Sequence, residues 1–327
     1  MKEENIFNPK HVNMEFKGIA SFGRSKMINI NDKWISDFTI IGIPYDAGVA
    51  HIPGSRFAPR EIRDVSTRYS FFGNEGSNGY WSIESKEYYL KDSIVVDAGD
   101  TDVLCLDTQY CYAQIASSIE KILENNSIPV IIGGDHSVSF PVLEGFANKY
   151  KTISIIHLDA HLDYRNEFCG VNYSHGSPLR RICELPQISG ALAIGCRGKL
   201  LLEEDYKDAL NRGIKVITAR DIRKLNSLAI EEIRKLLPQD HPVYVSIDID
   251  FLDPSIAPGT GVCEPGGFDY PFLMEVLEHI ALQCKVVGFD LVEVNPMVDL
   301  SKMTSRIASE IIIGFMAYIW KQKEFKK

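Results

Sequence analysis

Residues 153–163 read ISIIHLDAHLD. The run opens on four residues that are apolar or β-branched apart from Ser154, short enough for one strand and too short for a helix. It passes without a spacer into His157, Asp159, His161 and Asp163, each two residues from the last. A strand that is apolar along its whole length, rather than on alternate residues, belongs to a parallel sheet covered on both faces. In open sheets of that kind, chemistry gathers at the carboxyl ends of the strands.

The same pattern recurs along the chain. Residues 129–132 run into GGDHS at 133–137, residues 243–247 into DIDFLDP at 248–254, and residues 286–289 into DLVEVNP at 290–296. Further strands are expected at 38–43, 93–96, 191–194 and 215–217, with amphipathic stretches between them. Ile115, Ala116, Ile119, Ile122 and Leu123 fall at helical spacing. Asp269 reads as an N-cap, with Pro271 in the first turn of a helix through Leu282. Residues 304–320 are apolar nearly all round, as in a helix buried in the fold or in an oligomer interface. Alternating strands and helices give an α/β chain: three layers, α/β/α, around an open, mostly parallel sheet of about eight strands. Residues 1–36 carry little periodicity and read as an N-terminal arm, 37–327 as a single domain, and 73–89 as a surface loop.

Bulk properties narrow the partners. The 327 residues are 45% hydrophobic and 24% charged, as for a chain with a large core, and the net charge of −9 disfavours nucleic acid. Seven cysteines, none paired as CxxC, read as reduced thiols. There is no apolar signal region, and the longest apolar run, 311–320, is too short to span a bilayer. The expectation is a cytoplasmic protein with no membrane partner.

In extended chain, Asp159, His161 and Asp163 point the same way, as do Asp248 and Asp250. Clustered acids repel, and burying them unpaired costs several kcal/mol. Two divalent cations are the simplest compensation. A donor set of four aspartates and two histidines suits Mn²⁺, and Ni²⁺ or Co²⁺ would also be accepted. Two such ions roughly 3.5–4 Å apart can activate a shared water near neutral pH.

GGDHS, DAHLD and SIDIDFLDP, in this order, resemble the three signatures of the ureohydrolase (arginase/agmatinase) family. The resemblance extends to GIASF at 18–22, PGSRFAPREIR at 53–63, SHGSPLRR at 174–181, APGTGVCEPGG at 257–267 and DLVEVNP, and is nearest the agmatinase-like branch. It implies the arginase-like fold and six metal ligands: His136, Asp159, His161, Asp163, Asp248 and Asp250. On that pattern His136, Asp163 and Asp250 serve one ion, and Asp159, His161 and the aspartate pair serve the other, with sharing. It places His175 as a proton shuttle and Glu293 as the acid that grips the guanidinium, with Asp250 as a possible proton relay. The implied reaction is hydrolysis of a small guanidino compound by a metal-activated water, giving urea and an amine. The substrate expected first is agmatine, yielding putrescine in polyamine metabolism, and the implied assembly is a homo-oligomer, a trimer or hexamer.

The substrate's tail would be read by loops 44–57, 164–174 and 257–267, where Arg165 and Asn172 are candidate contacts. Arg165 favours an acidic tail unless it pairs with Glu167 or another acid. Val262 and Cys263 stand where the family more often has Thr and Pro. Guanidinobutyrate, another guanidino acid and free guanidine remain as alternatives. So do a formiminoglutamase-type amidine hydrolase, a one-zinc deacylase on a similar sheet, and a non-catalytic metal-binding scaffold. Asp135, Asp253 and Asp290 read as groups that cap turns or orient ligands, and His157 as packing or an outer contact. Glu264 reads either as a loop anchor or as pocket wall. His11, His51, His241 and His279 read as surface or loop histidines.

Overall fold

The apolar runs become strands because each has a face to bury on either side. In β2 (Phe38–Gly42), Phe38 and Ile40 enter one core and Ile41 the other. The same division holds in β6 (Ile128–Ile132), where Val130 and Ile131 face opposite ways. The computed structural model describes residues 18–69, 79–239 and 241–325. The remaining strands in chain order are β1 (Lys26–Met27), β3 (Tyr80–Ser82), β4 (Glu87–Tyr89), β5 (Val95–Asp100), β7 (Ile153–Leu158), β8 (Ile188–Cys196), β9 (Lys215–Thr218), β10 (Pro242–Asp248) and β11 (Lys285–Val292). Nine of the eleven described strands form one sheet in the order β1-β5-β2-β6-β11-β10-β7-β8-β9, and every pairing in it is parallel.

All eight strands expected from sequence are present. The ninth, β1, lies within residues 1–36 and is only two residues long, too short for any periodic signal. It pairs with β5, while nearby Phe22 is fully buried and donates its N–H to Asp97 Oδ2 at 2.8 Å. Residues 79–89 correct the loop reading: β3 and β4 form a two-stranded antiparallel hairpin, with Trp81 and Tyr88 edge to face at 5.1 Å.

Helices cover both faces. Helices α1 (Ala58–Ser66), α6 (Ala219–Leu225), α7 (Ala229–Leu236), α8 (Tyr270–Gln283) and α9 (Met303–Phe325) pack on one side. Helices α2 (Thr108–Glu124), α3 (Ser139–Glu144), α4 (Pro178–Cys183) and α5 (Glu203–Asn211) pack on the other. Asp269 caps α8 by accepting from Phe272 N–H at 2.9 Å. Helix α9 is apolar all round because it is buried within the chain's own core: Ile311, Ile312, Phe315 and Met316 are fully enclosed. All seven cysteines are free, and among the described residues no helix is long and apolar enough to cross a membrane.

The sheet order places the chemistry. The strands β6, β11, β10 and β7 are neighbours in the middle of the sheet, and these four carry the acids and histidines at their carboxyl ends. Gly134, just beyond β6, locks them together. Its carbonyl accepts from Glu293 N–H at 2.8 Å, and a Cβ at this position would overlap the Tyr45 carbonyl oxygen. Backbone cannot move aside as a side-chain tip can, so Gly134→Ala is expected to destabilise the protein by at least the roughly 1–3 kcal/mol of an overpacked core. A fall in Tm measured by calorimetry checks it; an unchanged Tm would show that the loop after β6 is looser than described.

Candidate metal centre

His136 follows β6 in a short 3-10 turn, and its ring is pinned from behind. Nε2 lies 2.9 Å from Ser246 Oγ, which donates to Asp290 Oδ1 at 2.7 Å; Asp290 also accepts from Tyr244 and Ser139. Since the Ser246 proton is spent on Asp290, Nε2 carries a donor hydrogen and Nδ1 is the nitrogen open to a proton or a cation. That nitrogen faces three carboxylate oxygens: Asp159 Oδ2 at 3.0 Å, and Asp163 Oδ2 and Asp248 Oδ2 at 3.1 Å each. His157 stacks on His136 at 4.8 Å, with Nε2 3.0 Å from Asp159 Oδ2. Beside this group, His161 Nδ1 lies 3.0 Å from Asp250 Oδ2 and 3.5 Å from Asp159 Oδ1.

Lone pairs of buried acids and imidazoles pointing at one another demand positive charge. Burial opposes a charge on His136, yet the carboxylates of Asp159, Asp163 and Asp248 outweigh it and hold its pKa well above the ordinary value. Burial, then Asp250 and Asp159, push Asp248 well above the carboxylate range. Among the described residues, the buried atoms Asp159 Oδ2, His157 Nε2 and His161 Nε2 find no hydrogen-bond partner. Donor atoms fall into two groups, each within 4.8 Å: His136, His157, Asp159 and Asp163, and then Asp159, His161 and Asp250. Orphaned buried donors of this chemistry fit two adjacent divalent cations that share Asp159.

All six expected ligands therefore converge, but not by the route read from sequence. Residues 159–163 are bent rather than extended, and Asp163 has φ +48°, a left-handed conformation that costs a non-glycine residue roughly 1–3 kcal/mol. Asp250 lies in a 3-10 turn whose N–H donates to Asp248 Oδ1 at 2.8 Å. Turns, not strand alternation, aim these side chains. Asp250 also groups with His161 rather than with His136 and Asp163. His157, read as packing or an outer contact, joins the first group; its spacing of two from Asp159 was the available signal.

Glu293 stands one residue past β11 at φ +64°, with 5% of its surface exposed. Its Oε1 accepts from His136 N–H at 2.9 Å and lies 3.0 Å from His175 Nδ1. Burial alone would raise its pKa, but His175 and the His136 amide more than offset that and hold the carboxyl below its usual range. His175 Nε2 accepts from Ala50 N–H at 3.3 Å. Burial lowers the pKa of His175, but Glu293 raises it further, to about 9.

A cavity of about 420 Å³ opens over these groups. Ala50, His51, Arg165, Phe168, Thr260 and Val262 are among its lining, so each of the three expected tail loops contributes. A fourth segment, Gly198, Leu200 and Leu201 after β8, was not anticipated and carries no motif. Asn172 is exposed and absent from the lining. Arg165 donates both Nε and Nη2 to the Leu200 carbonyl and lies 5.2 Å over Phe168, and no ion pair to Glu167 forms among the described residues. Asp135 and Asp253 cap turns: Asp135 accepts from Gly48 and Ser137, Asp253 from Ser255, Gly266 and Gly267.

Comparison with known proteins agrees with this geometry. The sequence profile of the arginase family matches residues 36–317. An agmatinase of Bacillus anthracis is 35% identical over 288 residues, covering 86% of this chain and 92% of its own length. The mitochondrial guanidino acid hydrolase of Homo sapiens is 32% identical over 289 residues, covering 87% of this chain and 79% of its own. Among solved structures, proclavaminate amidino hydrolase from Streptomyces clavuligerus superposes with a TM-score of 0.80 at 32% identity, covering 94% of this chain and 99% of that one. The chain belongs to the arginase family of metal-dependent amidino hydrolases.

Proposed function

We propose that this protein hydrolyses a linear guanidino compound to urea and an amine. The observation that carries the reading is the buried, ionised Glu293 carboxylate at the cavity floor, beside two groups of unpartnered metal-type donors. His136, His157, Asp159, Asp163 and Asp248 would hold one divalent cation, and Asp159, His161 and Asp250 the other, with Mn²⁺ the ion this oxygen-rich set suits best. When bound, such ions neutralise the carboxylates and bring the pKa of a water toward neutrality.

The protein's own groups do the rest. Among the described residues both hydrogen bonds to the Glu293 carboxylate fall on Oε1, which leaves Oε2 to receive the guanidinium and fix its carbon over the donors. Asp250 lines the cavity and is placed to take a proton from the attacking water. His175, protonated at neutral pH, is placed to return one to the departing amine.

Agmatine is the substrate that the sequence resemblance and the Bacillus anthracis relative support. The cavity wall supports a second reading, a guanidino acid. The acids that line the cavity, Asp163, Asp248, Asp250 and Glu293, are those assigned above to the cations and the guanidinium, whereas Arg165 lines it with the opposite charge. A tail carboxylate would meet that guanidinium; a tail ammonium would not meet a carboxylate. Urea release by the Mn²⁺-loaded protein from agmatine, guanidinobutyrate, guanidinopropionate, arginine and guanidine tests both. Turnover of one confirms the class and fixes the tail. No urea from any, with two ions bound per chain, would overturn it in favour of another amidine, such as formiminoglutamate, or of a non-catalytic protein.

The Glu293–His175 contact predicts a pH dependence. Below its pKa of about 9, His175 is charged and competes with the guanidinium for Glu293; above it, Nε2 regains the lone pair that accepts from Ala50 N–H while Nδ1 keeps its proton on Glu293. KM should therefore fall several-fold as pH rises toward 9, with the midpoint lowered by bound cations nearby. Steady-state kinetics between pH 7 and 9.5 check this, and a flat KM would contradict it.

A further inference from the structure

His136 and His161 each need support behind the nitrogen that faces an ion. A histidine that turns one nitrogen to a metal must place its other N–H on an acceptor, which fixes ring and tautomer. For His136 that support is the Ser246–Asp290 pair. For His161 it is different: Nε2 is buried, makes no hydrogen bond among the described residues, and lies 3.6 Å from Glu264 Oε1. A small rotation closes this gap once Nδ1 is held by an ion.

Glu264 is brought there by Arg197, which follows β8. Arg197 Nη2 donates to Asp250 O and to Glu264 O, both at 2.7 Å, and Nε donates to Glu264 O at 3.2 Å and Pro265 O at 3.3 Å. One guanidinium thus ties the backbone of the ligand Asp250 to the loop that carries Glu264. Lysine, with one point charge, cannot reproduce the fork. Next to it, Gly198 lies so close to the His161 ring that a Cβ would come within 2.5 Å of Cδ2. The ring is thus confined by Gly198 at its edge and faces Glu264 at Nε2.

We infer that Glu264 and Arg197 are positioning residues for His161 and Asp250, and that they set the affinity of the second ion without acting on the first. This rests on the two-ion reading of the site. The closest counter-explanation is that both residues merely order the 257–267 loop. Arg223 separates the two, because it grips the same loop from outside, through Gly266 O, and touches no ligand.

The test is a titration of the full-length, metal-stripped protein with Mn²⁺ alone, followed by calorimetry and electron paramagnetic resonance. The wild type should bind two ions and show the signal of a spin-coupled pair. Glu264→Ala and Arg197→Lys should each leave one dissociation constant unchanged and weaken the other about 10–100-fold. A six-line signal of isolated Mn²⁺ should then appear at limiting metal. Glu264→Gln, which keeps an acceptor oxygen, should recover most of the loss, and Arg223→Met should match the wild type. Unchanged constants in Glu264→Ala, equal weakening of both ions, or the same loss in Arg223→Met would overturn the inference while the wild type still binds two ions. A wild type that binds no Mn²⁺ would overturn the metal-centre reading as well.

Discussion

Asp159→Asn should abolish urea release, lowering kcat/KM by at least about 10³-fold, and should remove both ions rather than one. Asp159 is fully buried and is the donor common to the two groups: Oδ2 lies 3.0 Å from His136 Nδ1 and from His157 Nε2, and Oδ1 lies 3.5 Å from His161 Nδ1. Removing a ligand from one group alone would leave the other ion in place. Removing the shared charge weakens both, and with them the positive charge that the remaining carboxylates require. The loss is also readable without any substrate. An ion present at 100 times its dissociation constant stabilises the fold by about 2.7 kcal/mol per site. The Mn²⁺-dependent rise in Tm of the wild type should be absent from Asp159→Asn. A variant that keeps two ions per chain and the full rise in Tm would show that Asp159 is not shared.

Glu293→Gln should be as damaging to turnover and harmless to metal content. The amide keeps the shape of the side chain and loses the charge that pairs with a guanidinium. Removing one partner of a buried, hydrogen-bonded charge pair costs about 2–5 kcal/mol, which corresponds to roughly a 30-fold to several-thousand-fold fall in kcat/KM. The pH dependence of KM should flatten as well, because His175 no longer faces an anion. Kinetics with metal analysis on the same sample distinguishes this from Asp159→Asn. A kcat/KM within threefold of wild type would remove Glu293 from the substrate site.

What could be read from sequence, and what could not, follows from range. The central strands were legible because they are buried on both faces, so their apolar runs are continuous and self-announcing, and the partly covered β5 and β9 still show β-branched runs. The metal donors were legible because they stand directly after those strands, at spacings of two. Their convergence was foreseen for an incomplete reason. Strand alternation predicts a shared direction, whereas the bend at 159–163 and the 3-10 turn at 249–251 supply it. Backbone at φ +48° for Asp163 and +64° for Glu293 leaves no trace in composition, since neither is a glycine. Arg197 was invisible for another reason: it acts on carbonyl oxygens 53 to 68 positions away, and carbonyls have no sequence signature. Strand β1 and the β3–β4 hairpin were missed because two or three residues are too few to show a period.

The measurement that bears most directly on the two-ion centre is urea release recorded while metal-free protein is titrated with Mn²⁺, with bound metal counted at each step. Activity should lag the first equivalent, rise as the second binds, and reach its plateau at two ions per chain. Full activity at one ion per chain, or activity that survives complete removal of metal, would contradict it.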